Sequence, residues 1–248
     1  MVYKISAVAA FLSIIGFFYF GSTPKIIEEN FSEVPSHQKW NTLLQKNVNS
    51  NGDVNYKAFV NDKKELEAYL TLLQKNAPAK NWSKNQKLAY YINLYNAGTV
   101  KLIIDNYPTK SIKDIKSPWD KDVVAIGDKM YSLGYVEHKV LRKMNEPRIH
   151  FAINCASYSC PKLVNKAFLA DTMDAQLETA ALDFIADKKR NIINTNKVEL
   201  SEIFKWFKSD FTENTTLIGF INKYSSTQVK DNAKVKYIDY NWSLNEAK

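Results

Sequence analysis

Hydrophobic and polar positions along this chain fall into three patterns: one unbroken apolar run, several helical stripes, and short alternating segments. The unbroken run comes first. Behind Lys4, the sixteen residues from Ile5 to Phe20 carry no charge and are rich in Phe, Ile, Leu and Ala. That is longer than the usual apolar core of a signal peptide and slightly short of the ~20 residues needed to span a bilayer. Met1, Val2, Tyr3 and Gly21 make up the difference. Ser22 suits the last position before a cleavage site, but Phe20 is then a poor residue two positions earlier. No Cys follows to carry a lipid. The pattern favours an uncleaved anchor over a cleaved signal in residues 1–22. In either case the chain is expected to be exported, with Lys4 on the cytoplasmic side. Residues 23–35, with Pro24 and Pro35, read as a linker to a globular domain over 36–248.

Helical stripes dominate that domain. Short helices are predicted over 38–46 and 63–75. The longest is predicted over 83–106, where Ser83 and Gln86 form a capping box. Leu88, Ile92, Tyr95, Thr99 and Leu102 trace one of its faces, and Ala89, Ala97, Val100, Ile103 and Ile104 widen it. Pro108 stops it. Further helices are expected over 135–144, up to residue 186 from caps at Asp171 and Asp174, over 202–207 and over 216–223. Short strands are expected at 123–126 and 130–131 around Gly127-Asp128, at 192–193 and 198–200, at 235–240, and at 148–155. Asn47 to Asp53 has the outline of a calcium loop, but Ala58 stands where the bidentate Glu belongs, so Asn51-Gly52 reads as a tight turn. Helices and strands mix without βαβ regularity. The expected fold is α+β, one domain around a central long helix with a small sheet of hairpins.

Composition adds less. Apolar residues at 45% and charged residues at 24% are ordinary for a globular chain. The formal charge of +8 is spread out, and its densest run is Lys188-Lys189-Arg190. With no nucleic-acid signature, a solvated basic surface is the expectation, and nucleic acid is not expected as a partner.

Chemistry concentrates around Asn154-Cys155-Ala-Ser-Tyr-Ser-Cys160-Pro161. Four residues separate the cysteines, which matches neither a thioredoxin pair nor a zinc knuckle. Two Cys and three His in the whole chain do not supply a four-ligand zinc site, and no metal or cofactor is expected. The cysteines are either structural, as buried thiols or a local disulfide, or Cys155 is a nucleophile at a strand end. In the second case, N–H groups after Cys155 hold an oxyanion. His138 and His150 are the available bases. On an extended 148–155 segment His150 faces away from Cys155, which favours His138. Asn93 and Asn96 share a face of the long helix, where they brace a loop, bind substrate or orient a histidine. Arg148 is a further ligand-binding candidate. Trp119, Trp206 and Trp242 are possible pocket walls.

Five strings occur in order: Tyr91-Ile-Asn93-Leu-Tyr95-Asn96-Ala97, Val136-Glu137-His138-Lys-Val-Leu141-Arg142, Pro147-Arg148-Ile-His150-Phe151-Ala152, Asn154-Cys155-Ala-Ser157-Tyr-Ser159-Cys160-Pro161 and Ile203-Phe204-Lys-Trp206-Phe207. Together they resemble domain-of-unknown-function family 547 over roughly residues 50–246. The resemblance marks Cys155, Glu137, His138, His150, Asn93 and Asn96. Gly134 departs from the polar residue expected ahead of the Glu-His helix, which bears on how that helix is capped. Two functions follow as expectations. One is a cysteine-dependent hydrolase or acyl transferase with Cys155 as nucleophile and His138 as base. The other is a non-catalytic, membrane-tethered domain that binds a small molecule or peptide.

Overall fold

A computed structural model describes residues 33–247. The predicted anchor at 1–22 and most of the linker lie outside the described residues. Among the described residues, no helix is long and apolar enough to cross a membrane.

Helix α1 (Gln38–Asn47) packs on α2 (Tyr56–Asn61) and α3 (Lys63–Lys75), and these two pack beside the long α4 (Lys84–Ile104). Between α1 and α2 the chain reverses at Gly52, whose φ of 84° suits glycine. There Asn49 Oδ1 accepts from the N–H groups of Asn51 and Asp53 at 2.9 and 3.0 Å. Helix α4 starts on the predicted capping box, with Ser83 and Gln86 exchanging both bonds. From Ile92 to Val100 every residue of α4 is buried, so the helix is wrapped on all sides. It anchors the larger apolar core, where Trp40 stacks on Tyr69 with centroids 5.9 Å apart.

Strands β1 (Asp122–Ile126) and β2 (Lys129–Ser132) form the predicted hairpin, with Gly127 at φ 59° in the turn. The next segment is helical but of mixed pitch: α5 (Leu133–Tyr135), a π turn (Val136–Val140) and a 3₁₀ turn (Leu141–Met144). Ser132 Oγ caps it by accepting from Tyr135 N–H at 3.1 Å, so the polar residue sits two positions before Gly134. A Cβ on Gly134 would come within 2.8 Å of the Trp119 carbonyl oxygen, so the close approach of that backbone requires glycine.

Residues 148–155 are not the predicted strand. They begin as a 3₁₀ turn (Pro147–Phe151) and continue as irregular chain. Pro147 fixes the first helical φ, and the Glu146 carboxylate accepts from Arg148 N–H. The alternation at Ile149, Phe151 and Ile153 misleads because His150, Ala152 and Asn154 are buried as well. A two-residue period reports a strand only when one face is wet.

Helix α6 (Met173–Ala186) follows, without the predicted side-chain cap: its N-cap is Thr172 and no side chain bonds there. Strands β3 (Ile192–Asn194) and β4 (Lys197–Ser201) pair antiparallel, and β5 (Lys234–Ile238) joins β4 in parallel. Between β4 and β5 come α7 (Ile203–Trp206), α8 (Lys208–Phe211) and α9 (Leu217–Tyr224). These enclose a second core of aromatic rings, Phe151, Phe184, Phe204, Phe211 and Phe220. The tail after β5 then returns to the first half of the domain. It bridges Ser111 through Ser243, Ser157 through Leu244, and Val54 through Glu246. The fold is therefore α+β, as the pattern predicts.

Gly98 on α4 lies where a Cβ would meet Val124 Cγ1 at 2.4 Å and Leu133 Cδ2 at 3.2 Å. Gly98→Ala is expected to lower unfolding free energy by up to about 2 kcal/mol. Overpacking costs roughly 1–3, and better helix propensity returns about 1. Urea denaturation checks it, and a raised midpoint would refute the close packing.

Candidate active site at Cys155

The Cys155 loop is built by buried amides. Asn96 donates to the Ala152 carbonyl at 2.9 Å and accepts from Asn154 N–H at 2.8 Å. Asn154 then donates to the Pro161 carbonyl at 2.7 Å and accepts from Ala156 N–H at 2.8 Å. Ala156 is held at φ 59°, a left-handed conformation that a residue with a Cβ adopts only under constraint. The tail closes the loop from outside, with Tyr158 N–H on Ser243 O at 2.7 Å and Ser159 N–H on Asn241 O at 3.2 Å. Most N–H groups after Cys155, expected as oxyanion donors, are already engaged in this loop. Those of Ala156, Tyr158 and Ser159 are engaged, and Cys160 N–H bonds Ser157 O.

Both cysteines are free thiols. Cys155 is partly exposed, while Cys160 is buried and its sulfur accepts from Cys155 N–H at 2.8 Å. The Tyr240 hydroxyl lies 3.2 Å from Cys155 Sγ, and Ser157 Oγ lies at 3.6 Å. Burial works to raise the Cys155 thiol, but hydrogen bonds with Cys160, Tyr240 and Ser157 outweigh it and leave the pKa below the ordinary thiol range. Burial pushes Cys160 well up.

Cys155 opens into a cavity of about 220 Å³ that also takes in Glu137, His138, His150 and Tyr95. The departure from a strand matters here, because it turns His150 and Cys155 towards the same space. His150 is 2% exposed and stacks on Phe207 at 4.0 Å, whereas His138 sits exposed at the rim. Asp210, from α8, is the organising charge. Arg142 clamps it with two bonds of 2.7 and 2.8 Å, and His150 Nε2 lies 2.9 Å from it. Burial acts to raise Asp210, yet the bonds from Arg142 and His150 dominate and hold its pKa far below the usual carboxylate range.

Hydrogen-bond direction then separates the two histidines. An ionised Asp210 only accepts, so His150 Nε2 carries the proton and Nδ1 holds the lone pair. A guanidinium only donates, and Arg142 Nη1 is 3.2 Å from His138 Nδ1. His138 therefore keeps its proton on Nε2 and has its lone pair occupied. Burial lowers both imidazoles, and Arg142 depresses His138 further. This arrangement favours His150 over His138 as a base. No hydrogen bond joins Cys155 Sγ to either ring among the described residues; its partners are Tyr240 and Ser157.

Other sequence candidates lie apart from the cavity wall. Asn93 is fully buried and spends its amide on both backbone groups of Phe168, at 2.7 and 3.1 Å. Asn96 is spent in the same way on residues 152 and 154. Arg148 is gripped by Glu146, Asp174 and Glu178. Asp210 and Tyr240 went unnoticed in the sequence. Neither sits in a recognisable motif, and a faint signal for Asp210 is the spacing of Phe207 and Phe211 on one helical stripe.

The fold and site define an α+β domain that gathers a thiol, two imidazoles and a buried carboxyl around one aromatic-walled cavity. Residues 79–185 match the family model described as "Protein of unknown function, DUF547", which supports a DUF547 domain over that stretch. The match spans α4 to α6 and holds Glu137, His138, His150, Cys155 and Cys160; Asp210, Tyr240 and Trp242 come after it. No curated protein and no solved structure matches the chain.

Two outcomes follow. Asn96→Ala strands two buried backbone groups at roughly 1–3 kcal/mol each. Urea denaturation is expected to show a loss on the order of 2–4 kcal/mol; a loss below about 0.5 would mean that Asn96 does not brace the loop. Burial raises the Glu137 carboxyl to about 7, against the lowering effects of Tyr95 and Arg142. An unfolded Glu titrates near ~4.3, so between that pH and about 7 the folded state holds a proton that the unfolded state has lost. Wild type should therefore lose stability relative to Glu137→Gln as pH rises through that window, and the difference should level off above it. Unfolding free energies at several pH values test this, and a pH-independent difference would refute it.

Proposed function

We propose that this domain is a thiol-dependent hydrolase or acyl transferase, with Cys155 as nucleophile and His150, oriented by Asp210, as base. The observation that supports it most is a partly exposed, acidified thiol sharing one cavity with an imidazole whose lone pair is left free by a clamped carboxylate. Cys155 Sγ attacks a carbonyl carbon, and its proton passes to His150. The proton goes on to the departing alcohol, thiol or amine. Water or an acceptor then cleaves the acyl thioester and restores the thiol. The Tyr240 hydroxyl, adjacent to the sulfur, is a donor available to a developing oxyanion. We also propose that the N-terminal segment exports or tethers the domain, so that this chemistry takes place on an extracytoplasmic substrate.

A second reading is a non-catalytic pocket for a small molecule or peptide. It is favoured by the absence of a hydrogen bond between Cys155 Sγ and an imidazole, although such bonds often tighten only when substrate is bound. Under that reading ligand-induced thermal stabilisation survives Cys155→Ala and no acyl-enzyme forms.

Alkylation with iodoacetamide across pH, followed by peptide mapping, is the direct test. Cys155 is expected to react with an apparent pKa below the free-thiol value of ~8.5. Cys160 is expected to stay unmodified, and Tyr240→Phe to move the Cys155 value upward. A Cys155 that is inert, or that titrates as a free thiol, would sink the nucleophile reading.

A further inference from the structure

Glu137 has no task in the thiol chemistry above, yet it lines the same cavity. It is 7% exposed, and its Oε2 accepts from the Tyr95 hydroxyl at 3.2 Å. Its Oε1 makes no hydrogen bond among the described residues. The sealed side-chain polar atoms left without a partner there are Trp40 Nε1 and Asn47 Oδ1, so Oε1 is reached from the cavity. A carboxyl this deep with a free oxygen is costly unless a ligand supplies a donor.

The remaining wall narrows the choice of ligand. Tyr240 and Trp242 have ring centroids 4.5 Å apart, and Trp206 packs on both at 4.8 and 5.7 Å. Trp119 meets Trp242 edge-on at 5.7 Å. Aromatic faces carry negative potential and attract cations. The cluster already does so: Lys113 Nζ lies 5.3 Å from the Trp242 ring centre, and the Arg142 guanidinium lies 5.2 Å from that of Phe207. The charge of Arg142 is matched by Asp210. An anion would be disfavoured by both the rings and an ionised Glu137. A neutral apolar group would suit the rings but leave Oε1 unsatisfied. An organic cation suits both. The cavity of about 220 Å³ has room for roughly seven waters, the scale of a compact alkylammonium group.

We propose that the Cys155 cavity selects substrates bearing a small organic ammonium group, with Glu137 meeting the charge and Trp119, Trp206, Trp242 and Tyr240 enclosing its alkyl part. This rests on the reading of the cavity as the reaction site and adds the substrate class: an acyl compound carrying an amine or quaternary ammonium end. Glu137 is then the specificity-determining residue, and Cys155 the reacting one.

The test is a tryptophan-fluorescence titration of the full chain in non-ionic detergent at pH 8, above the Glu137 value of about 7. Choline stands for a quaternary headgroup and n-butylamine for the end of a lysine or polyamine. The probe 3,3-dimethylbutan-1-ol is the neutral counterpart of choline. Saturable binding of choline or n-butylamine, at least tenfold tighter than the alcohol, is expected, and the preferred cation identifies the source. Glu137→Gln should weaken that binding at least tenfold. Trp206→Leu, at a ring 45% exposed and so safe for folding, should also weaken it. The inference is overturned if the alcohol binds as well as the cations, if neither cation binds the folded chain, or if both variants bind like wild type. Cys155 alkylation in the same samples separates the two proposals. Cation binding with an inert Cys155 keeps the ammonium site and removes the nucleophile. A reactive Cys155 without cation binding does the reverse. Protection of a reactive Cys155 by the cation supports both.

Discussion

The buried amide of Asn96 fixes the backbone on which everything else at the site depends. It reaches out of a helix that is enclosed on every side and closes on the carbonyl of residue 152 and the N–H of residue 154. Those backbone groups belong to no ladder and no helix, so without an amide they would be buried and unpaired. Asn154 repeats the device one step further along, on residues 156 and 161. Two amides thus replace secondary structure where the chain must carry a thiol at an irregular bend. The left-handed Ala156 is the cost of that bend, and the enclosure of α4 gives the rigidity that sustains it.

The same division separates what could be read in the sequence from what could not. Helix α4 was legible to its capping box, because cap chemistry and a long apolar stripe are local. Both hairpins were legible from turn residues between short apolar runs. The segment 148–155 was misread because burial on all sides erases the contrast that periodicity needs. Helix α2, capped by Asn55, was missed because six residues make too little of a stripe. Cys155, Glu137, His138 and His150 were legible as candidates because the family strings carry them. Their order of use was not. The choice between His150 and His138 depends on Asp210, which lies 60 residues beyond His150 and meets it only through the crossover from β4 to β5.

Asp210 also explains why one carboxylate can set the roles of two histidines. It is bonded directly to His150 and, through Arg142, indirectly to His138. The first link holds the His150 proton on Nε2; the second occupies the lone pair of the other ring. Charge is conserved locally, since the Asp210 and Arg142 charges cancel and both imidazoles stay neutral. A neutral His150 fits general-base assistance better than a preformed thiolate–imidazolium pair, whose imidazole must be charged. The acidity of Cys155 then has to come from its hydrogen bonds, and Tyr240, Ser157 and Cys160 are the partners.

That division of labour bears on why the tail after β5 packs where it does. Tyr240 and Trp242 come from the last ten residues of the chain, far in sequence from the Cys155 loop. They complete the cavity only because Ser243 and Asn241 take up the N–H groups of Tyr158 and Ser159. Those contacts withdraw the N–H groups of Tyr158 and Ser159 from any oxyanion and bring in a phenol hydroxyl and an indole face. A site made this way has few fixed donors and a large aromatic surface. The proposed preference for a cation rests on those π faces and on the Glu137 oxygen that has no hydrogen bond among the described residues.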